Sequence, residues 1–248
     1  MKLLTIAPPD IAERISDIVR NTFPSITLYI EKYIDYRDAP QIVDRYNGKV
    51  DAILFGGKSP FRLCEETRSE ALHSVLYERI PRHERTLIKA LFCINYVLKK
   101  DIRFLSLDTY THTVLDNLFS EIGINPASTK IYYAEQRYLE NDYNQYLLEF
   151  HRNNFYNNKV SCCVTGILPV YEELQKERIP SVLTKPTDEI ILHTIKNLQT
   201  QFTAKQNSEN QIAIVAVKMA MPSTYSVVKE DEYTFTSNRI KLLDKLYA

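Results

Sequence analysis

Glycine occurs only five times in the 248 residues, and the glycine-built signatures of several enzyme classes are missing. There is no G-x-G-x-x-G and no G-x-S-x-G. The segment nearest to a Walker loop, Gly56-Gly57-Lys58-Ser59, has Ala52 where that motif needs its first glycine. Charge of one sign is also missing: 31 Lys+Arg balance 31 Asp+Glu, so no global positive field draws the chain to nucleic acid or anionic lipid, and a bare DNA-binding protein is excluded. No apolar run approaches the roughly 20 residues of a membrane span, which leaves no membrane partner. The opening Met1–Asp10 is broken by Pro8 and Pro9 too soon for a secretion signal, which points to the cytoplasm. Four cysteines (Cys64, Cys93, Cys162, Cys163) and five histidines (His73, His83, His112, His151, His193) show no metal-ligand spacing, so neither a metal nor a cofactor is expected. Tryptophan is absent, and no internal repeat or low-complexity segment is found.

What is present is an alternation of short apolar runs with amphipathic stretches. Strands are expected at Leu3–Ala7, Ile26–Ile34, Val50–Phe55 and His73–Ile80, with helices at Asp10–Thr22 and Ala39–Tyr46. A long helix over Arg82–Leu98 then carries the chain into a second series. Its strands are Ile102–Leu107, Lys130–Ala134, Val160–Val164 and Ser181–Thr184, and its helices His112–Ile122, Asp142–Phe155 and Val170–Glu177. Such alternation implies parallel sheets with right-handed crossovers. The expected class is therefore α/β: two Rossmann-like lobes, flavodoxin-like or periplasmic-binding-protein-like, with a cleft between them. Residues 1–98 with 188–202 would make the first lobe and 101–187 the second. The rest, 203–248, would be a connector: a polar linker at Thr203–Asn210, a strand at Ile212–Val217 and a helix at Thr236–Leu246.

Open parallel sheets bind ligands at the carboxyl ends of their strands. The candidate ligand-binding residues are accordingly Gly56, Gly57, Lys58 and Ser59 after the third strand; Asp108, Thr109 and Thr111 after the first strand of the second series; Thr165 and Gly166; and Thr184 and Lys185. Hydroxyls, backbone donors and lysines in four loops suit an anionic or hydroxylated small molecule. Each has a plainer reading. Gly56-Gly57 can be a tight turn at positive φ, Asp108 and its threonines can cap the following helix, and Lys58 and Lys185 can be solvated surface charges. Cys64 falls in an expected loop. Cys162 and Cys163, adjacent in a strand, should point to opposite faces and be buried. No histidine stands out as a general base, and no catalytic residue is assigned. The 17 tyrosines include Tyr132, Tyr133, Tyr138, Tyr143 and Tyr146, which read as amphipathic packing on the second lobe or as a partner surface.

The run Asp51-Ala52-Ile53-Leu54-Phe55-Gly56-Gly57-Lys58-Ser59 leads a strand into a Gly-Gly loop with a small hydroxyl residue behind it. Val160–Gly166, Val170–Glu177, Arg178-Ile179-Pro180 and Asp188–Leu198 follow as strand, helix, short connection and returning helix. In this order the chain resembles, over about residues 1–202, the effector-sensing region of the bacterial propionate catabolism activator and related transcriptional regulators. The resemblance implies a two-lobed module that closes on a small-molecule effector and signals to an output domain. Lys58 departs from the pattern of that loop. No helix-turn-helix or ATPase follows, so DNA would be reached only through a domain or partner not in this chain, and a homodimer would form through the C-terminal helix or the tyrosine-rich face. The alternatives are a racemase-like enzyme, which needs a cysteine from each lobe and has only Cys64 and Cys163 to offer, and a non-catalytic interaction scaffold.

Overall fold

The computed structural model describes residues 1–209; the strand and helix expected within 212–248 lie outside the described residues. The first lobe begins with strand β1 (Lys2–Ala7), helix α1 (Pro9–Thr22) and strand β2 (Thr27–Lys32). Helix α2 (Ala39–Tyr46), strand β3 (Ala52–Phe55), helices α3 (Lys58–Thr67) and α4 (Ser69–His73), and strand β4 (Leu76–Arg79) complete it. The second lobe holds helix α5 (Glu84–Phe92), which ends in a π turn over Cys93–Val97, then strand β5 (Phe104–Leu107), helix α6 (His112–Glu121) and strand β6 (Lys130–Tyr133). Helix α7 (Tyr143–Tyr156), strand β7 (Cys162–Thr165), helix α8 (Leu168–Lys176) and strand β8 (Ser181–Leu183) follow, and helix α9 (Asp188–Glu209) ends the described chain.

The strands form two separate four-stranded sheets, ordered β2-β1-β3-β4 and β6-β5-β7-β8, and every pairing is parallel. Strands covered by helices on both faces must be apolar on both faces, which explains why they read as continuous hydrophobic runs. The pleat sorts them: Leu3, Ala52 and Leu54 pack under α1 and α9, whereas Leu4, Ile6, Ile53 and Phe55 pack under α2, α3 and α4. In the second sheet Leu105, Leu107, Cys162 and Val164 face α5 and α6, and Cys163 faces the opposite way, toward α7 and α8. α9 returns to the first lobe, where Ile190, Ile191, Ile195 and Leu198 join the core built on α1.

Several expectations are corrected. Cys64, read as a loop residue, is fully buried on α3, because Pro60 stands in the first turn of that helix, where a missing N–H costs nothing. The strand expected from His73 starts only at Leu76, after the short α4. Arg82 precedes α5 instead of opening it, and α5 packs through Leu87, Ala90, Leu91 and Ile94 on the second sheet although it was expected within the first lobe. Thr203–Glu209, expected as a linker, continues α9. Among the described residues no helix is long and apolar enough to cross a membrane.

The Gly56-Gly57 turn does not need positive φ, a conformation that only Gly48 and Gly123 adopt among the described glycines. Gly57 is extended at φ −174°. Gly56 is fixed by closeness: a Cβ there would lie 2.6 Å from the Ala7 Cβ of the neighbouring strand. Nothing lies within 4 Å of a Cβ placed at Gly57. Gly56→Ala is therefore expected to destabilise the protein by about 1–3 kcal/mol through overpacking, while Gly57→Ser, which supplies a favoured cap residue, stays within about 0.5 kcal/mol of the parent. Urea midpoints of the two variants check the contrast.

Candidate functional site

Each sheet has its topological switch point between its two central strands, β1 and β3 in the first and β5 and β7 in the second, where the loops leave the sheet in opposite directions. The loops after β1, β3, β7 and β8 meet at one cavity of about 260 Å³ between the lobes. That size is below the ~300–1,000 Å³ of sites for drug-sized ligands, so the cavity has room for nothing larger than a small molecule.

Seven of the candidate residues, Gly56, Gly57, Lys58, Ser59, Gly166, Thr184 and Lys185, line this cavity. Four do not. Asp108 and Thr165 are buried behind it, Thr109 sits beside them, and Thr111 is exposed at the start of α6 with no capping hydrogen bond from its side chain. The lining also includes residues that the sequence reading passed over: Tyr33, Tyr36, Arg82 and Asn144.

The first turns of α1, α3 and α8 line the cavity, and none has a side-chain cap. First-turn N–H groups lack intrahelical partners, and the positive ends of the helix dipoles lie with them. Three cationic side chains, Lys58, Arg82 and Lys185, and two acidic ones, Asp10 and Glu172, share the lining. Lys185 pairs with Asp10 at 2.6 Å, so the two charges offset one another within the lining. Among the described residues Lys58 donates to the amide oxygen of Gln136, at 3.4 Å, and stands over the Tyr138 ring. Burial, then the charges of Arg79 and Arg62, lower its pKa, so a bound anion would restore what these neighbours remove.

Arg82 stands in the first crossing between lobes, after β4. Its guanidinium donates to the Thr184 carbonyl at 2.7 Å, in the second crossing, and to the Gly166 carbonyl at 3.1 Å. Carbonyls hold the group without cancelling its charge, and no carboxylate pairs with it among the described residues. Gly166 makes this seat: a Cβ there would fall 2.5 Å from Arg82 Nη2.

Behind the Gly166 loop lies a buried polar network. Asp108 does not cap a helix; its carboxylate accepts from the Gly166 N–H at 3.0 Å, from the Thr109 and Thr165 hydroxyls, and from His151 Nε2 at 3.3 Å. Thr165 Oγ1 in turn accepts from the Ile167 N–H at 3.1 Å. Ser106 Oγ meets His151 Nδ1 at 2.7 Å. Burial by itself lowers the His151 pKa, but the hydrogen bond and charge of Asp108 outweigh it and lift the imidazole to about 9. Burial likewise opposes the Asp108 charge, and His151 with the two threonines overcomes it, holding the carboxyl below its ordinary range. The pair is thus ionic. Ser106, His151 and Asp108 have the composition of a hydrolase triad, but all three are buried and none lines the cavity. The network holds the loop that seats Arg82; it does not open onto the cavity.

Removing one partner of a buried ion pair leaves the other charge uncompensated, so Asp108→Asn is expected to cost about 3–5 kcal/mol. The pH dependence has a definite sign. The raised His151 value makes its contribution complete below about 6.5, the ordinary histidine value, and lost as pH climbs through about 9. The lowered Asp108 value makes its contribution complete above the ordinary carboxyl range and lost as pH falls through the lowered value. Melting temperatures should therefore decline between pH 6.5 and 9 in the parent, and His151→Gln should remove that slope; a decline of equal size in the variant contradicts the assignment.

No protein family matches the chain, and no curated protein does. Solved structures do. An NtrC family transcriptional regulator from Clostridium acetobutylicum superposes with a TM-score of 0.57 at 14% identity, over 83% of this chain and 98% of that one. A transcriptional activator of the comK gene from Bacillus halodurans gives 0.43 at 11% identity, over 82% and 83%. A solute-binding protein of an ABC transporter system from Aeropyrum pernix K1 gives 0.43 at 11% identity, over 82% and 71%. The first of these overlaps extends over almost the whole regulator structure, and it shows that the two chains share a fold of two parallel-sheet lobes.

Proposed function

We propose that this chain is the effector-sensing module of a transcriptional regulator, taking a small polar or anionic metabolite in the cavity between its lobes. The observation that carries the reading is Arg82: a guanidinium that lines an interlobe cavity, held by two carbonyls and neutralised by no carboxylate among the described residues. Three uncapped helix N-termini and Lys58 add to the same sign of potential. Because Arg82 spans both crossings, an anion bound to it lies where the lobes turn on one another. A ligand preferring one lobe arrangement then shifts the population by its differential affinity. Signalling would pass to an output domain or partner, and the small-molecule effector is the partner this part of the chain supplies a place for. The shared fold with a regulator structure agrees with this reading.

The two-cysteine racemase reading has less support. Cys64 and Cys163 are both fully buried, and neither lines the cavity. The tyrosine-rich segment is partly occupied within the chain as well: Tyr143 is buried, and the Tyr138 carbonyl accepts from the Tyr36 hydroxyl at 2.8 Å.

Thermal shift against small organic acids, sugars and phosphates tests the reading. Acids are expected to raise the melting temperature in proportion to the logarithm of their concentration, and Arg82→Gln to weaken them about 10- to 100-fold, as loss of a charge-assisted hydrogen bond does. Stabilisation by neutral sugars alone, or an Arg82→Gln variant that binds acids as well as the parent, contradicts it.

A further inference from the structure

The second lobe carries an apolar stripe on the side of α5 turned away from its sheet. Of the nine large hydrophobic side chains exposed among the described residues, four lie within ten residues on α5 and its π turn: Ile88, Phe92, Tyr96 and Val97, from 48% to 68% exposed. Leu87, Ala90, Leu91 and Ile94 on the opposite side already bury this helix against the second sheet. A helix with one packing partner needs one apolar stripe, and this one has two. The outer aromatics are ordered against each other, the Phe92 and Tyr96 rings stacking at 4.4 Å between centroids and 15° between planes. A contiguous exposed patch of this kind marks an interaction site, whereas apolar residues scattered singly do not.

The π turn keeps the stripe in line. At 3.6 residues per turn, residues spaced by four drift steadily around an α-helix. A π turn takes more residues per turn, so the step from Phe92 to Tyr96 swings back and sets one ring over the other. The order of charges along the stripe then names its occupant. Ile88 stands four residues before Phe92 and Tyr96 four after it; Glu84 lies eight before, and Lys99 and Lys100 seven and eight after. These three charged residues are exposed and make no ion pair among the described residues, although the neighbouring Arg85 is taken by Glu189. The Lys99 ammonium lies 5.7 Å from the centroid of the Tyr96 ring, which puts its charge at the end of the stripe. About Phe92 the apolar residues are therefore symmetric and the charges opposite. Turned end for end, the stripe meets its own complement: Phe92 on Phe92, Ile88 on Tyr96, and Glu84 on the lysines. A contact about a two-fold axis requires this, since residue i must fit j while j fits i. A parallel pair would set Glu84 against Glu84 and lysines against lysines. We propose that the outer face of α5 is where two copies of this chain associate, the helices antiparallel and the two-fold axis close to Phe92. The face is separate from the tyrosine-rich segment and from the cavity.

A contact centred on one helix pair falls at the low end of specific interfaces, about 1,000 Å² in total, so the dimer forms and dissociates with concentration. Sedimentation of the full chain across a micromolar concentration series is expected to show a mass rising from one chain toward two. Phe92→Glu sets two like charges on the axis and should weaken the dimer about 30-fold or more, as loss of a central aromatic does. Because Phe92 is exposed, the circular dichroism of that variant should match the parent's. Glu84→Lys should weaken the dimer about threefold or more, two symmetric surface pairs being lost at once. Adding Lys99→Glu and Lys100→Glu to Glu84→Lys should restore it to within about twofold of the parent, an outcome that only the antiparallel arrangement gives. A full chain that stays monomeric throughout, a dimer that Phe92→Glu leaves intact, or a charge reversal that the second reversal does not rescue overturns the proposal.

Discussion

The bonds of Arg82 to the carbonyls of Thr184 and Gly166 are the interaction on which the arrangement of the site depends. The chain passes between lobes twice, after β4 and after β8, and this one side chain ties the two crossings together. Arg85 and Glu189 pair beside it, and Arg14 of α1 donates to the Pro186 carbonyl at 2.7 Å and to Asp188 at 2.9 Å. The Arg85–Glu189 and Arg14–Asp188 contacts are largely exposed ion pairs, each worth about 0–1 kcal/mol. Arg82 is half-buried and directs its hydrogens at backbone, so it contributes geometry that the outer pairs do not. The same choice of carbonyl partners leaves its charge for the cavity. Structure and binding chemistry are therefore joined in one residue, and Gly166 has no room for a side chain because of it.

The two lobes reach the same place by different means. Their sheets have the same strand order, and the first brings the loops after β1 and β3 to the cavity, the second those after β7 and β8. The first lobe meets the cavity with bare backbone: α1 and α3 begin there without caps, and Gly56 lets the loop after β3 lie against Ala7. The second lobe fixes its loop from behind. Asp108 takes the Gly166 N–H, Thr165 takes the Ile167 N–H, and His151 supplies the counter-charge that lets a carboxylate stay ionised out of water. A buried pair of this kind contributes less to net stability than its short distances suggest, since both ions are desolvated. What it provides is a loop whose position is fixed from within its own lobe.

Much of the fold was legible because parallel strands buried on both faces leave an unmistakable apolar run, as at Leu3–Ala7 and Ile102–Leu107. The errors share a cause. The first turn of α3 holds Lys58, Ser59 and Pro60, residues equally at home in a turn, so in sequence it looks like a loop; the part of α9 beyond Phe202 is exposed and has the composition of a linker. Strand ends mark the segments that line the cavity, but not the partners that fold over from elsewhere. Asp108 and His151 are 43 residues apart, and no local pattern marks their contact. Asn144 faces the cavity only because of how α7 packs. Arg82 carries no local mark either: the Pro81 before it suits a helix start as well as a loop, so it reads as the opening of the helix.

Opposite the crossings the lobes touch again. The Tyr36 hydroxyl donates to the Tyr138 carbonyl, Arg37 to the Asn141 carbonyl, and Lys58 to Gln136, so that the cavity is bridged on this side as well. Hydrogen bonds of this class are worth about 0.5–1.5 kcal/mol each, and three of them amount to a few kcal/mol at most. Tyr36, with Tyr33 and Leu63 beside it, also packs into the core that α7 and α8 build on the second sheet, so the lobes are held here by apolar contact as well as by these three hydrogen bonds. The tyrosine-rich segment between β6 and α7, which in the sequence suggested an outward partner surface, is in part the latch by which one lobe holds the other.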